Sequence, residues 1–234
     1  METPKEVLKF EIFAPIAVFK TPFSVKGFET FPLPPYSTVI GLLYTALGRK
    51  YNGEKFSLSV QGDYEVLFRD YLTFRKYNKE KKKLGTKPLE VPFLFNFKLV
   101  CHILGDREIL DLFEEALKKP KTYLGLGIRE IPVKVLKVKK LKAEWKTLKE
   151  PKKLKYNAFI PLRWLDYLNF YTAKGKFSEL GGIEFFVPSF LKKLKPYRDY
   201  RFEEVVYIPK GTEIEEDSEV LTDEEGDFIF PTEE

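Results

Sequence analysis

The sequence predicts an α+β fold: a ferredoxin-like (RRM-like βαββαβ) domain over residues 1–141, followed by a smaller β-rich domain over residues 142–234. Three observations lead there. Two segments carry apolar residues at helical spacing, runs of β-formers precede, separate and follow them, and proline or glycine punctuates each junction.

Residues 7–19 are rich in β-formers and broken by Pro15, so they read as a first strand with an irregular end. An extended segment, residues 20–35, closes on Phe31-Pro32-Leu33-Pro34-Pro35, where the prolines fix φ and forbid a helix. The helix begins immediately after. Ser37 or Thr38 is expected to cap it, and Val39, Leu42, Leu43, Ala46 and Leu47 form one apolar stripe. Residues 64–77 and 91–103 are two long strand candidates. Between them, residues 76–88 hold six lysines against one glutamate and read as a mobile basic hairpin projection, with the basic hairpin near 76–90. A second helix, 107–119, places Ile109, Leu112, Phe113, Ala116 and Leu117 on one side before Pro120. A glycine-containing turn then leads into a strand over 131–141.

Beyond residue 141 the pattern weakens. Ten lysines and two glutamates fall between 134 and 155. Strand-like pieces follow at 156–162, 183–187 and 202–208, and a hairpin is expected around Glu225-Gly226. Trp164, Tyr167, Phe170, Tyr171, Phe185, Phe186 and Phe190 need something to pack against, which argues for a second domain rather than a tail.

Composition bounds the function. At 234 residues and 44% hydrophobic, with 22 Phe, 13 Tyr and 2 Trp, the chain can build a core and cannot be a disordered tail. It has no uncharged apolar run long enough to span a bilayer and no basic-then-apolar leader, so a cytoplasmic protein without a membrane partner is expected. Abundant Lys and Glu beside one Cys, one Met and one Gln is a thermophile composition. Charge is unevenly distributed. Residues 1–202 hold 39 bases and 22 acids, a net of +17; residues 203–234 hold 13 acids and one base, a net of −12. The body suits a polyanion. The tail reads as a solvated face that shields the body, repels RNA or meets a basic neighbour.

Catalytic patterns are poor. Cys101 is the lone cysteine, and His102, the lone histidine, sits mid-strand without an obvious partner and reads as a satisfied sheet residue. No metal motif, nucleotide-binding loop or other cofactor signature occurs. The turn Tyr123-Leu-Gly-Leu-Gly-Ile-Arg129 is either plain turn chemistry or a backbone cradle for phosphate. Lys121, Thr122, Tyr123 and Arg129 flank it with donors and an aromatic face, a mixture that holds an RNA backbone while stacking a base. Further RNA-binding candidates are Lys20 and Lys26 in the extended segment and Arg75, Lys81, Lys82 and Lys83 at the basic hairpin. The lysine runs fit either a thermophile surface or sequence-tolerant phosphate contact.

Thr30-Phe-Pro-Leu-Pro-Pro-Tyr-Ser-Thr-Val-Ile-Gly-Leu-Leu-Tyr-Thr-Ala-Leu-Gly48 resembles the N-terminal signature of the fifth family of CRISPR-associated Cas proteins, and Tyr123-Leu-Gly-Leu-Gly-Ile-Arg-Glu-Ile-Pro132 is similar to that family's glycine loop. The resemblance spans roughly residues 7–140. It implies a RAMP-superfamily subunit of a type I Cascade-like complex that caps and anchors the 5′ repeat-derived handle of the crRNA. The implied partners are the crRNA and the backbone and large subunits, with target DNA contacted only as part of the complex. By the same resemblance, Gly125, Gly127 and Arg129 would lie along the handle, Ser37 and Thr38 would receive a phosphate, and residues 76–88 would form the thumb. One branch of the family cuts precursor RNA with Tyr, Lys and His and no metal. His102 lies outside the glycine-loop neighbourhood, so a non-catalytic subunit is expected, with the metal-independent endoribonuclease as the alternative.

Overall fold

A strand alternating large apolar residues with polar ones can be buried on one face and still pair on both edges. Strand β1 (Lys5–Ala17) does this at the centre of the sheet, with Leu8, Phe10, Ile12 and Ala14 buried together. The computed structural model describes residues 5–22, 28–78, 82–170, 182–193 and 199–233.

β1 pairs antiparallel with β4 (Lys83–Leu104) on one side and β7 (Lys134–Thr147) on the other. β2 (Ser57–Asp63) lies along the far edge of β4, so the central order is β2-β4-β1-β7. Helix α1 (Tyr36–Leu47) follows β1, and α2 (Arg107–Lys118) follows β4. Val39, Leu42 and Leu43 of α1 share one core with Leu110, Phe113 and Leu117 of α2 and the apolar face of the sheet. The protein is α+β with a mostly antiparallel sheet.

One local expectation is corrected. The strand edging the central sheet is β2, not residues 64–77. Those residues form β3 (Val66–Asn78), which pairs only with the outer half of β4, from Val66 opposite Phe95 to Asn78 opposite Lys83. The basic segment 76–88 falls at the far end of the hairpin that β3 and β4 form, with Asn78 opposite Lys83.

The C-terminal third extends this sheet at both ends. β9 (Asn157–Pro161), β11 (Asp199–Ile208) and β10 (Ile183–Lys193) add outward from β2; β13 (Glu219–Asp223) and β14 (Phe228–Ile229) add outward from β7. The division drawn after residue 141 falls inside β7, which runs on unbroken to Thr147. A second core nevertheless gathers mainly residues beyond it. Alternation along β9 and β11 sends Phe159 and Val205 into the first core, and Ala158, Ile160, Val206 and Ile208 into the second. The end of the chain returns to β2, where Thr232 N–H donates to the Leu58 carbonyl at 3.0 Å and Phe230 N–H to Ser59 Oγ at 2.9 Å. The remaining short pairs are β5 (Gly125–Leu126) with β6 (Ile128–Pro132), and β8 (Lys152–Lys153) with β12 (Glu213–Ile214).

Candidate nucleic-acid interface

Where β1 ends, the chain doubles back. Phe31 N–H donates to the Phe19 carbonyl at 2.8 Å, Thr21 N–H to the Glu29 carbonyl at 3.0 Å, and Phe19 N–H to Thr30 Oγ1 at 2.8 Å. The glycine turn packs onto this corner. Gly127 has φ +80°, and a Cβ built there would stand 2.2 Å from the Val18 carbonyl oxygen. The glycine is therefore required by a close approach of backbone to backbone. Leu124 and Leu126 anchor the turn in the first core, while Lys121 and Thr122 are exposed and Tyr123 is 64% exposed. Lys121 N–H donates to the Ala46 carbonyl at 2.9 Å, which seats the start of the turn on the C-terminal end of α1. Gly125 is half-buried on β5. Arg129 lies on β6, and its side chain is outside the described residues.

From the same corner the β3–β4 ribbon projects. β3 is 13 residues long, or about 40 Å at the usual rise per strand residue. Phe68, Tyr71, Phe74, Tyr77 and Leu84 are all exposed on it, Tyr71 at 70%. Arg75 is exposed opposite Thr86, Lys83 opens β4, and Lys82 turns the chain with φ +45°. Phe28 stacks on Phe74 at 5.4 Å between ring centroids, and Lys20 Nζ lies 4.9 Å from the Phe28 ring centroid. Lys20, the glycine turn and the root of the ribbon thus share one corner of the molecule. Lys26 and Lys81 fall outside the described residues.

Ser37 and Thr38 are not brought to that corner. The N-cap of α1 is Pro35, whose carbonyl accepts Thr38 N–H at 2.8 Å and Val39 N–H at 3.2 Å, and no side chain caps the helix. The expected Ser/Thr cap is corrected: the N-cap falls at Pro35, two residues before Ser37, and both hydroxyl residues lie inside the first turn. The start of α1 packs toward the outer strands through Tyr36 and Phe159, 6.4 Å apart by ring centroid. Lys121 sits at the opposite end, about 14 Å away along the axis at 1.5 Å per residue.

A buried polar network went unread in the sequence. Lys9 on β1 is 1% exposed, and its Nζ reaches Asp223 at 3.0 Å, Glu225 at 2.7 Å and Asp227 at 2.5 Å. His102 on β4 is 0% exposed, with Nε2 3.0 Å from Asp223 Oδ2. Its Nδ1 has no hydrogen-bond partner among the described residues. Burial alone would lower the Lys9 pKa, yet the hydrogen bonds it donates to Asp227, Glu225 and Asp223 outweigh it and hold the ammonium above its ordinary range. Burial pushes Asp223 up, but His102, the Asp227 backbone and Lys9 pull it well below the usual carboxylate range. Lys137 and Lys9 together pull Glu225 down to about 2. The three carboxylates lie close enough to hold a cation, and the Lys9 ammonium occupies that position.

The 223–227 part of the acidic tail is therefore corrected from a solvated face to a hairpin docked on the chain's own basic strands, while Glu216, Asp217 and Glu219 remain exposed. Lys137 bonds Glu225 at 2.5 Å, Lys155 bonds Asp227 at 2.5 Å and Lys152 reaches the Gly226 carbonyl at 2.8 Å. The reading of His102 as a satisfied sheet residue is half complete, because one ring nitrogen is paired.

The family model described as CRISPR-associated protein (Cas_Cas5) matches residues 7–180. The chain belongs to the Cas5 family. Among solved structures, this Cas5 protein is similar to a chain titled "CRISPR RNA-guided surveillance complex", with 12% identity over 88% of this chain and 91% of that one and a TM-score of 0.56. A CRISPR protein from Archaeoglobus fulgidus is 12% identical over 96% and 97%, with a TM-score of 0.49. No curated protein matches the sequence. The Cas5 match encloses the proline-rich approach, the ribbon and the glycine turn, while the carboxylates around Lys9 lie beyond its end. No helix among the described residues is long and apolar enough to cross a membrane.

Proposed function

We propose that this Cas5 protein is a non-catalytic RNA-binding subunit of a type I CRISPR interference complex, anchoring the 5′ repeat-derived handle of the crRNA and contacting the backbone and large subunits. The order β2-β4-β1-β7, with a helix after the first and third of these strands in sequence, fits the ferredoxin-like plan and supports assignment to the RAMP superfamily. One observation carries the reading: a ribbon with exposed Tyr71, Phe74 and Tyr77, interleaved with Arg75, Lys82 and Lys83, beside Lys20 and the exposed Tyr123. Aromatic faces accept stacked bases whatever their sequence, and point charges track phosphates. In such a complex the target sequence is read by base pairing, so this chain needs no base code of its own.

Burial of His102 against Asp223 supports binding without cutting, since RNA has no path to the imidazole in this conformation. The test is binding of repeat-derived handle RNA in EDTA. Tyr123→Ala combined with Lys121→Ala weakens binding and leaves the thermal transition in place; unchanged affinity removes the assigned site. RNA cleavage abolished by His102→Gln would overturn the non-catalytic reading.

A further inference from the structure

The chain has two tryptophans, and both stand in one surface patch. Trp145, at the outer end of β7, stacks on Trp164 with centroids 5.1 Å apart and planes 21° from parallel. Trp164 belongs to a short 3-10 helix (Leu162–Tyr167) and donates Nε1–H to the Pro231 carbonyl at 2.9 Å, which fixes the stack. Tyr167 closes a triangle, 6.2 Å from Trp145 and 6.1 Å from Trp164. Trp145 is 43% exposed and Tyr167 50%, an aromatic surface left open to water.

Acidic residues sit on the segments that adjoin it. The segment after β12 is hydrogen-bonded to both aromatic-bearing stretches: Glu215 N–H donates to the Asn169 carbonyl at 2.8 Å, and Asp217 N–H to the Leu148 carbonyl at 2.9 Å. Glu219 pairs with Thr147 on the strand face that carries Trp145. Asp166 adjoins Tyr167 and is exposed, as are Glu216 and Asp217. Among the described residues, Asp166, Glu215, Glu216, Asp217 and Glu219 form no ion pair, while the exposed Lys146 beside Trp145 is paired with Glu144. By contrast Asp223, Glu225 and Asp227 are paired with the chain's own lysines, at Lys9, Lys137 and Lys155.

We propose that this patch receives an arginine-bearing segment of a partner protein. A guanidinium stacks on an indole or phenol face and hydrogen-bonds carboxylates in the same plane, so one side chain can use both features. Trp, Tyr and Arg are the residues that dominate interface energy. A phosphodiester chain would meet uncompensated negative charge here, which sets this face apart from the ribbon. The inference stands independently of handle binding.

The two tryptophans make the patch its own reporter. A labelled peptide of alternating glycine and arginine binds the full-length protein saturably, shifts the tryptophan emission and binds more tightly than its lysine analogue. Tyr167→Ala and Trp145→Ala each weaken that binding about fivefold, the scale of one cation–π contact. Glu216→Gln with Asp217→Asn weakens it as well, and all variants keep the parent's thermal transition. Unchanged peptide affinity in both aromatic variants overturns the proposal. So does a short single-stranded RNA that shifts the tryptophan emission while the peptide does not.

Discussion

Lys9 Nζ and Asp223 Oδ2 are 3.0 Å apart, with both side chains at most 1% exposed, although one belongs to the first strand and the other to the last hairpin. This contact accounts for a charge pattern that is opaque along the sequence. The basic body and acidic tail are complementary parts of one fold. Gly226, with φ +77°, turns the hairpin so that Asp223 Oδ1 also accepts the Glu225 and Asp227 N–H groups at 2.9 and 2.8 Å. The tail is thus pre-shaped as a cup around a single ammonium.

Lys9→Met should be among the most damaging substitutions in the chain. It leaves Asp223 and Asp227 buried without their cation, and breaking a buried pair from one side costs about 3–5 kcal/mol. Urea unfolding should show a lower midpoint with an unchanged slope. Lys137→Met removes a half-exposed partner of the same hairpin and should cost less than about 1 kcal/mol.

The same cup sets a pH window. Glu225 is depressed from 4.5 to about 2, and Asp223 is also depressed, so their stabilisation is complete above the unfolded carboxylate range and fades as pH falls through the folded values. The Lys9 pKa is raised, so its contribution is complete below 10.5 and fades only at higher pH. Melting temperature should therefore fall progressively from near pH 4.5 toward pH 2. Lys9→Met should flatten that acid limb, and an acid limb of unaltered steepness in the variant would place its origin elsewhere.

Gly127 and Gly53 offer a matched comparison, since both have positive φ. At Gly53 an added Cβ meets nothing within 4 Å; at Gly127 it meets the Val18 carbonyl oxygen at 2.2 Å. Gly53→Ala should cost about 1–2 kcal/mol from backbone strain alone, and Gly127→Ala about 3 kcal/mol or more once the corner must open. Thermal unfolding of the two variants distinguishes them. Loss of RNA binding in a Gly127 variant would report a displaced corner, so exposed Tyr123 is the better probe.

Elements whose own residues decide them were legible in the sequence. The apolar stripes gave both helices, the β-formers gave β1 and the inner part of β4, and Glu225-Gly226 gave the final hairpin. β2 was missed because Ser57-Leu-Ser-Val-Gln-Gly-Asp63 offers just two large apolar residues. Its serines and Gln61 look like turn chemistry, yet they are buried against the returning chain end, where Gln61 Nε2 donates to the Phe228 carbonyl. Residues 64–77 looked like the better strand because their aromatics are abundant, and the fold leaves those side chains outside. Pairing of Lys9 and His102 with a tail more than 100 residues away depends on tertiary closure, and no local pattern encodes it. Within the candidate interface, sequence chose Lys20, Tyr123 and Arg75 from chemistry alone; it passed over Tyr71, Phe74 and Tyr77 because aromatic stripes usually mean core.

Those three aromatics separate stacking from charge. Tyr71 and Tyr77 are exposed, so Tyr71→Ala and Tyr77→Ala should leave the melting temperature nearly unchanged. If single-stranded RNA lies along the ribbon, each should lose about 1–3 kcal/mol of binding for every base it stacks, with the salt dependence retained. Lys83→Ala and Arg75→Ala should do the reverse. Each should reduce the slope of log affinity against log salt by about 0.7 for every phosphate contact removed, with only a modest loss at low salt. Titrations at several salt concentrations read both terms from one data set. Aromatic variants that change the slope, or cation variants that leave it intact, would mean that the ribbon does not carry the RNA backbone and that its exposed rings await a protein neighbour instead.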